Sequence, residues 1–279
     1  MTILLIGGTG KSATPLANLL LQANQPLLLT TRSGNVPAPF KGVRFDWLNP
    51  STYTLPFELD ANIDRVYLIA PPILVSFPPM KVFVDLAISR GVKRFVLLSA
   101  GMVEPGGPAM GKAHEYLSTL KVEYCALRPS WFFENFLFQY NERIKAKDEI
   151  VSATGDGLLG YVSTEDIADV AFKALVDDVV EHTNPIIVGP ELLSYDKIAA
   201  MLTEVLRREI KHNRLTPAEF KQVCVDKGMP EDYAQMMTML DGFIAQGAEE
   251  KNYRRADVVG KRTLRAFFEA NKEAWRAVD

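Results

Sequence analysis

Cysteine is scarce in this chain: of 279 residues, only Cys125 and Cys224 carry a thiol. Two cysteines cannot build a disulfide framework, and neither has a second at metal-ligand spacing, so no metal site is expected. Long apolar runs are missing too. Every stretch falls far below the roughly 20 residues that cross a bilayer. The first apolar run follows a single residue and stops at Gly7, which reads as a strand rather than a signal peptide. Charge of one sign is also absent: 31 Lys and Arg against 34 Asp and Glu leave −3. Those charges are scattered, so no basic face invites nucleic acid or an anionic membrane. A cytoplasmic protein with a small-molecule partner is expected.

What is present alternates. Apolar runs "TILLI" (2–6), "PLLLTT" (26–31), "VRFDW" (43–47), "RVYLIA" (65–70), "RFVLLSA" (94–100) and "VEYCALRP" (122–129) are separated by helix-length segments at 11–23, 78–90, 111–120 and 131–146. Runs that are apolar throughout, instead of alternating, mark strands covered on both faces. Helical crossovers between them imply a doubly wound α/β parallel sheet, the Rossmann arrangement. The first domain is placed at 1–150, with sheet contributions from about 151–190. A smaller, mostly helical substrate or lid subdomain is placed at 151–279, with helices expected at 193–207, 217–227, 230–247 and 261–276. Ser163 or Thr164 caps a further helix with Asp166 in its first turn, and "PIIVGP" (185–190) reads as a strand.

The first strand breaks into Gly7-Gly8-Thr9-Gly10-Lys11-Ser12-Ala13 before a helix resumes. A strand that turns tightly into a helix offers unpaired N–H groups and the positive end of a dipole, and a pyrophosphate reaches them only where side chains leave room. The spacing is the dinucleotide fingerprint with its last glycine relaxed to alanine. A plain strand-to-helix turn is the alternative. Lys11 and Ser12 are candidate phosphate contacts.

An acid that would bind the ribose of NAD is missing from the end of the second strand. Arg32-Ser33-Gly34 stands there instead, a guanidinium and a hydroxyl where NADP carries its extra phosphate. NADPH/NADP is therefore the expected cofactor. Asp46 and Trp47 close the third strand on the adenine side, Ala70-Pro71-Pro72 follow the fourth, and Ser99 ends the fifth.

A tyrosine followed four residues later by lysine, the usual carbonyl acid of short-chain dehydrogenases, does not occur. Tyr116 is followed at that spacing by Leu120, Tyr124 by Arg128 and Tyr140 by Ile144. Lys112, His114 and Tyr116 in "MGKAHEYLSTL" are the remaining proton-donor candidates, His114 foremost because imidazole titrates near neutrality. Trp131, Phe132 and Phe133 offer either an aromatic substrate wall or plain core packing.

The motifs "GGTGKSA", "FDWLN", "RFVLLSA", "MGKAHEYL", "LRPSWFFENF", "SATGDG", "DIADVAF" and "GPELLSYDKIA" occur in this order over residues 1–212. In them the chain resembles the NmrA-like branch of atypical short-chain dehydrogenases, and within it the fungal ergot-alkaloid dehydrogenases that make festuclavine or agroclavine. The resemblance implies NADPH-dependent reduction of a cyclic iminium ion, formed when the aldehyde of chanoclavine condenses with its own secondary amine; the wider expectation is a reductase of an imine, an iminium or an activated double bond. It accounts for the missing acid, since an iminium carbon is already electrophilic. It implies an aromatic or indole alkaloid as partner and leaves a pathway enzyme open. Two other readings remain: a non-redox isomerase or cyclase using Lys112, His114 or Tyr116 as acid, and an NADP-sensing regulatory protein.

Overall fold

The computed structural model describes residues 1–71 and 73–276. In chain order the elements begin with β1 (Thr2–Leu5), α1 (Ala13–Gln22), β2 (Leu27–Thr31), β3 (Gly42–Arg44), α2 (Leu55–Leu59) and β4 (Ile63–Ile69). They continue with α3 (Phe77–Ser89), β5 (Arg94–Leu98), α4 (Met110–Thr119), β6 (Glu123–Pro129), α5 (Asn135–Phe138), α6 (Asn141–Lys147) and β7 (Glu149–Ser152). Then come α7 (Thr164–Val176), β8 (Ile186–Val188), α8 (Tyr195–Leu206), β9 (Lys211–Arg214) and α9 (Pro217–Asp226). The chain closes with α10 (Glu231–Ala245), α11 (Ala248–Arg254), β10 (Val258–Val259) and α12 (Leu264–Asn271).

These elements form two compact units, Met1–Pro129 with Thr164–Ile186, and Ser130–Ser163 with Ile187–Asp279. The chain passes between them at 129/130, 163/164 and 186/187. The hydrophobic pattern placed one boundary near 150.

In the first unit the strands run parallel in the order β3-β2-β1-β4-β5-β6. Beyond β6 the ladder continues through Ala126 N–H to Thr183 O and Arg128 N–H to Pro185 O. Ile3, Leu4, Leu5, Val66, Leu68, Phe95 and Leu97 are fully buried, as strands covered on both faces require. The chain moves outward from β1 to β3, then returns to β4 on the other side of β1. That reversal opens the crevice in which sheets of this kind hold ligands. Helix α1 buries Ala13, Leu16, Ala17 and Leu20, a single stripe at helical spacing.

At the N-terminal end of β5, Arg94 is 2% exposed. Its guanidinium donates to Ala174 O at 3.2 Å and Asp178 O at 3.0 Å, and pairs with Glu123 at 2.7 Å. Carbonyls left open at the end of α7 are thus closed by a cation, which the helix dipole also favours.

In the second unit β7 pairs in parallel with β9, and Ile187 and Val188 of β8 pair with β10. Phe136 stacks on Tyr140 at 5.1 Å and meets Phe268 edge-on at 5.1 Å, while Trp275 Nε1–H donates to Phe136 O at 3.1 Å. Thr216 starts α9 with a complete capping box, and Ser194 and Thr263 cap α8 and α12.

Segment 131–146, expected as one helix, is not one. Val162 N–H donates to Trp131 O and Phe133 N–H to Val162 O, so its opening residues form a β-bridge. Short helices α5 and α6 follow, separated at Gln139 and Tyr140, whose N–H groups both turn back to Asn135 O. A tertiary partner overrides local helical pattern here. Helix α10 stops before Gly247, whose φ of +81° suits glycine and restarts the chain as α11. No described helix is long and apolar enough to cross a membrane.

Candidate functional site

The glycine turn sits at the C-terminal end of β1, beside the reversal in strand order. Gly7 has φ +66°, a conformation that side chains disfavour. Its N–H donates to Thr30 Oγ1 at 3.0 Å, and Gly8 N–H donates to Thr30 O at 2.9 Å. A Cβ on Gly8 would stand 2.6 Å from Leu29 Cβ, and one on Gly10 would stand 3.0 Å from Gly7 O. Bulk is thus excluded at Gly8 by the neighbouring strand and at Gly10 by the turn itself. Gly10 N–H closes the turn on Gly7 O at 2.8 Å. Thr9 and Ser12 keep backbone N–H groups with no partner among the described residues.

Helix α1 has no side-chain cap and no acidic residue in its first turn. Its positive end is therefore left for an external anion. Ser12 itself is buried and accepts a hydrogen bond from Tyr67 Oη at 3.0 Å. That hydroxyl fastens α1 to β4, and Lys11 beside it is half-buried. Thr30, which the sequence reading missed, aligns the turn with β2. Its only signal was a hydroxyl inside a leucine-rich strand.

Arg32 is exposed and makes no hydrogen bond or ion pair among the described residues. Ser33 Oγ accepts from Asn35 N–H at 3.2 Å, shaping the loop after β2, and no carboxylate occurs from Leu27 to Asn35. Across the crevice, Asp46 Oδ1 accepts from Leu48 N–H at 2.9 Å. Trp47 Nε1–H donates to Ile69 O at 3.1 Å, and its ring meets Phe83 edge-on at 5.5 Å. Trp47 therefore ties the loop after β3 to the end of β4, while Asp46 shapes that loop from within. Ala70 is half-buried and Pro71 buried in the loop that follows, while Pro72 lies outside the described residues.

Ser99 and Arg128 stand at the C-terminal ends of β5 and β6, and His114 of α4 packs on β6 with its ring 5.9 Å from Tyr124. Ser99 is 5% exposed and His114 is 1% exposed, and Ser99 Oγ, His114 Nδ1 and Arg128 Nε have no partner. Ser99 follows Leu98, the partner of Leu127 in the ladder, so Ser99 and Arg128 are cross-strand neighbours. Arg128 donates to Gly101 O at 2.9 Å and to Glu104 Oε1 at 2.7 Å, pinning the loop before α4. Burial lowers the pKa of His114, the Arg128 charge lowers it further, and Glu104 opposes both. The balance favours the neutral imidazole.

The other proton-donor candidates lie elsewhere. Lys112 is exposed, and Tyr116 hydrogen-bonds to Asp85 and Lys81 on the surface between α3 and α4. Among Lys112, His114 and Tyr116, only the histidine faces the sheet. In the second unit Trp131 and Phe132 are half-buried, whereas Phe133 is fully buried against Phe267 at 5.6 Å. Among the described residues no group of three His, Cys, Asp or Glu could hold a metal.

No general family profile matches the chain. It is 44% identical to an agroclavine dehydrogenase of Claviceps fusiformis, over 99% of each chain. It is 43% identical to festuclavine synthase II of Penicillium roqueforti, over 99% of this chain and 100% of the relative. The chain belongs to the family of agroclavine and festuclavine dehydrogenases. It is accordingly an oxidoreductase. A solved NADPH-dependent quinone oxidoreductase of Escherichia coli, complexed with NADPH, shares the fold of this dehydrogenase. Its TM-score is 0.76 at 20% identity, over 96% of this chain and 99% of that one. The triphenylmethane reductase of Citrobacter, complexed with NADP(H), gives 0.67 at 19%, over 100% and 97%. Both likenesses speak to the α/β fold of the dehydrogenase.

Proposed function

We propose that this dehydrogenase reduces a cyclic iminium or imine of an alkaloid-type natural product with NADPH, without a side-chain acid. One observation carries the reading: of the three candidates only His114 is buried against the sheet, where burial and the Arg128 charge favour its neutral form, while Lys112 is exposed and Tyr116 pairs with Asp85 on the surface. A neutral imidazole is a poor proton donor, and an iminium carbon needs none.

The residues present fit a dinucleotide phosphate. Open N–H groups at Thr9 and Ser12 and the uncapped start of α1 suit its pyrophosphate. Arg32, with Ser33 beside it, suits a 2′-phosphate where no acid competes. Ser99 Oγ, buried without a partner, is a polar contact in waiting at the end of β5. NADPH held there supplies the hydride from its nicotinamide. The chain's own part is to hold the reacting groups in place and keep water out, the contributions on which an already activated electrophile depends. Trp131 and Phe132 offer a flat aromatic face to an indole and a π-surface to a cation.

The purified protein, given NADPH and a panel of cyclic iminium salts and simple ketones, should consume NADPH with the iminium salts alone. Turnover of ketones without iminium turnover would overturn the reading. Arg32→Ala should narrow the preference for NADPH over NADH about tenfold, as expected for a charged hydrogen bond, and equal loss for both cofactors would remove Arg32 from the phosphate.

A further inference from the structure

Glu249 is a carboxylate that none of this chemistry yet uses. It stands in the first turn of α11, 2% exposed. Its partners are neutral: Ser130 Oγ–H donates to Oε2, and Asn252 Nδ2–H donates to Oε1 at 3.4 Å. Burial raises its pKa and these two hydrogen bonds oppose the rise, with no lysine, arginine or histidine among the described residues contributing. A buried carboxylate without a cation is costly, and the approach of a positive charge relieves that cost.

Its place in the chain says where such a charge would come. Ser130, which holds it, is the residue before Trp131. The segment is pinned through Ser130 N–H to Ile187 O at 2.9 Å and Val162 N–H to Trp131 O at 2.8 Å. Glu249 thus lies against the segment that carries the half-buried Trp131 and Phe132. Asp241, the other carboxylate of this unit at 2% exposure, is held instead by Ala153 N–H at 2.7 Å.

We propose that Glu249 is a specificity-determining charge, selecting a cationic ring such as an iminium over a neutral ring of the same shape at the Trp131–Phe132 face. The proposal rests on the reading that Trp131 and Phe132 contact substrate. Charge attraction and the π-face then act on the same ligand, and a neutral analogue loses the first and much of the second.

Two rings of one shape separate charge from fit: N-methylisoquinolinium, a permanent cation, and neutral 2-methylnaphthalene. Their dissociation constants would be measured by equilibrium dialysis against the full chain saturated with NADP+, which has no hydride to give. The wild type should prefer the cation by about tenfold or more. Glu249→Gln should remove that preference while binding the neutral ring and NADP+ as the wild type does. Should that variant fail to fold, Ser130→Ala and Asn252→Leu combined with Glu249→Met remove the carboxylate together with both of its donors, and the same loss of preference is expected. A preference that survives in the variants, with the wild type still oxidising NADPH on iminium salts, overturns the role of Glu249 alone. Rings that bind the wild type equally overturn it as well. If neither ring binds, the substrate-contact reading of Trp131 and Phe132 falls with it.

Discussion

The two ends of the sheet in the first unit handle buried polar groups in opposite ways. At the N-terminal end Arg94 is enclosed and spends its donors on α7 carbonyls and Glu123, Asp64 Oδ1 being the one atom there without a partner. Toward the C-terminal end Ser99 Oγ and Arg128 Nε, and against the same sheet His114 Nδ1, are buried and have no partner among the described residues. Each such atom costs about 1–3 kcal/mol. The first end builds stability, and on the proposed function the second gives some of it up for a ligand.

Substitutions at the two ends should therefore separate folding from binding. The largest effect is expected at Arg94. Arg94→Ala strips the end of α7 and should lower stability in urea by about 3 kcal/mol, with NADPH affinity of the folded protein unchanged. A stability loss below about 1 kcal/mol would mean that this end is no firmer than the other. Gly10→Arg should do the reverse: NADPH affinity of the folded protein falls at least about a hundredfold as the side chain blocks the turn, an effect larger than the stability lost where its Cβ crowds Gly7 O. Unchanged NADPH affinity would reduce the turn to a mere connection. The smallest effect is expected at Ser99. Ser99→Ala removes an unsatisfied oxygen and should leave the ligand-free protein equally stable or up to about 1 kcal/mol more stable, with weaker NADPH binding. Destabilisation on that scale would show that Ser99 is a packing residue.

The first unit was legible in the sequence because β1, β2, β4, β5 and β6 are apolar strands and all of these but β2 are followed by a helix, so periodicity and order agree. The glycine turn was legible for the same reason: its spacing sits at a strand-to-helix junction. The second unit hid more. Strand β9 reads Lys-His-Asn-Arg, and only its pairing with β7 makes it a strand. Bridging to Val162 turned the start of 131–146 away from helix, and no local pattern signals a partner thirty residues downstream. Helical geometry did hold a clue at the proposed acids: Lys112 and Tyr116 are four apart and share a face, whereas His114 between them points the other way. Ser130 and Glu249 lie 119 residues apart, and no spacing rule could have joined them.

The most direct test of acid-free hydride transfer is turnover by His114→Gln on a cyclic iminium, normalised to bound NADPH. If no side-chain acid is needed, kcat stays within about tenfold of the wild type across neutral pH. A fall of roughly 10²–10⁴-fold would show that the buried imidazole supplies the proton after all.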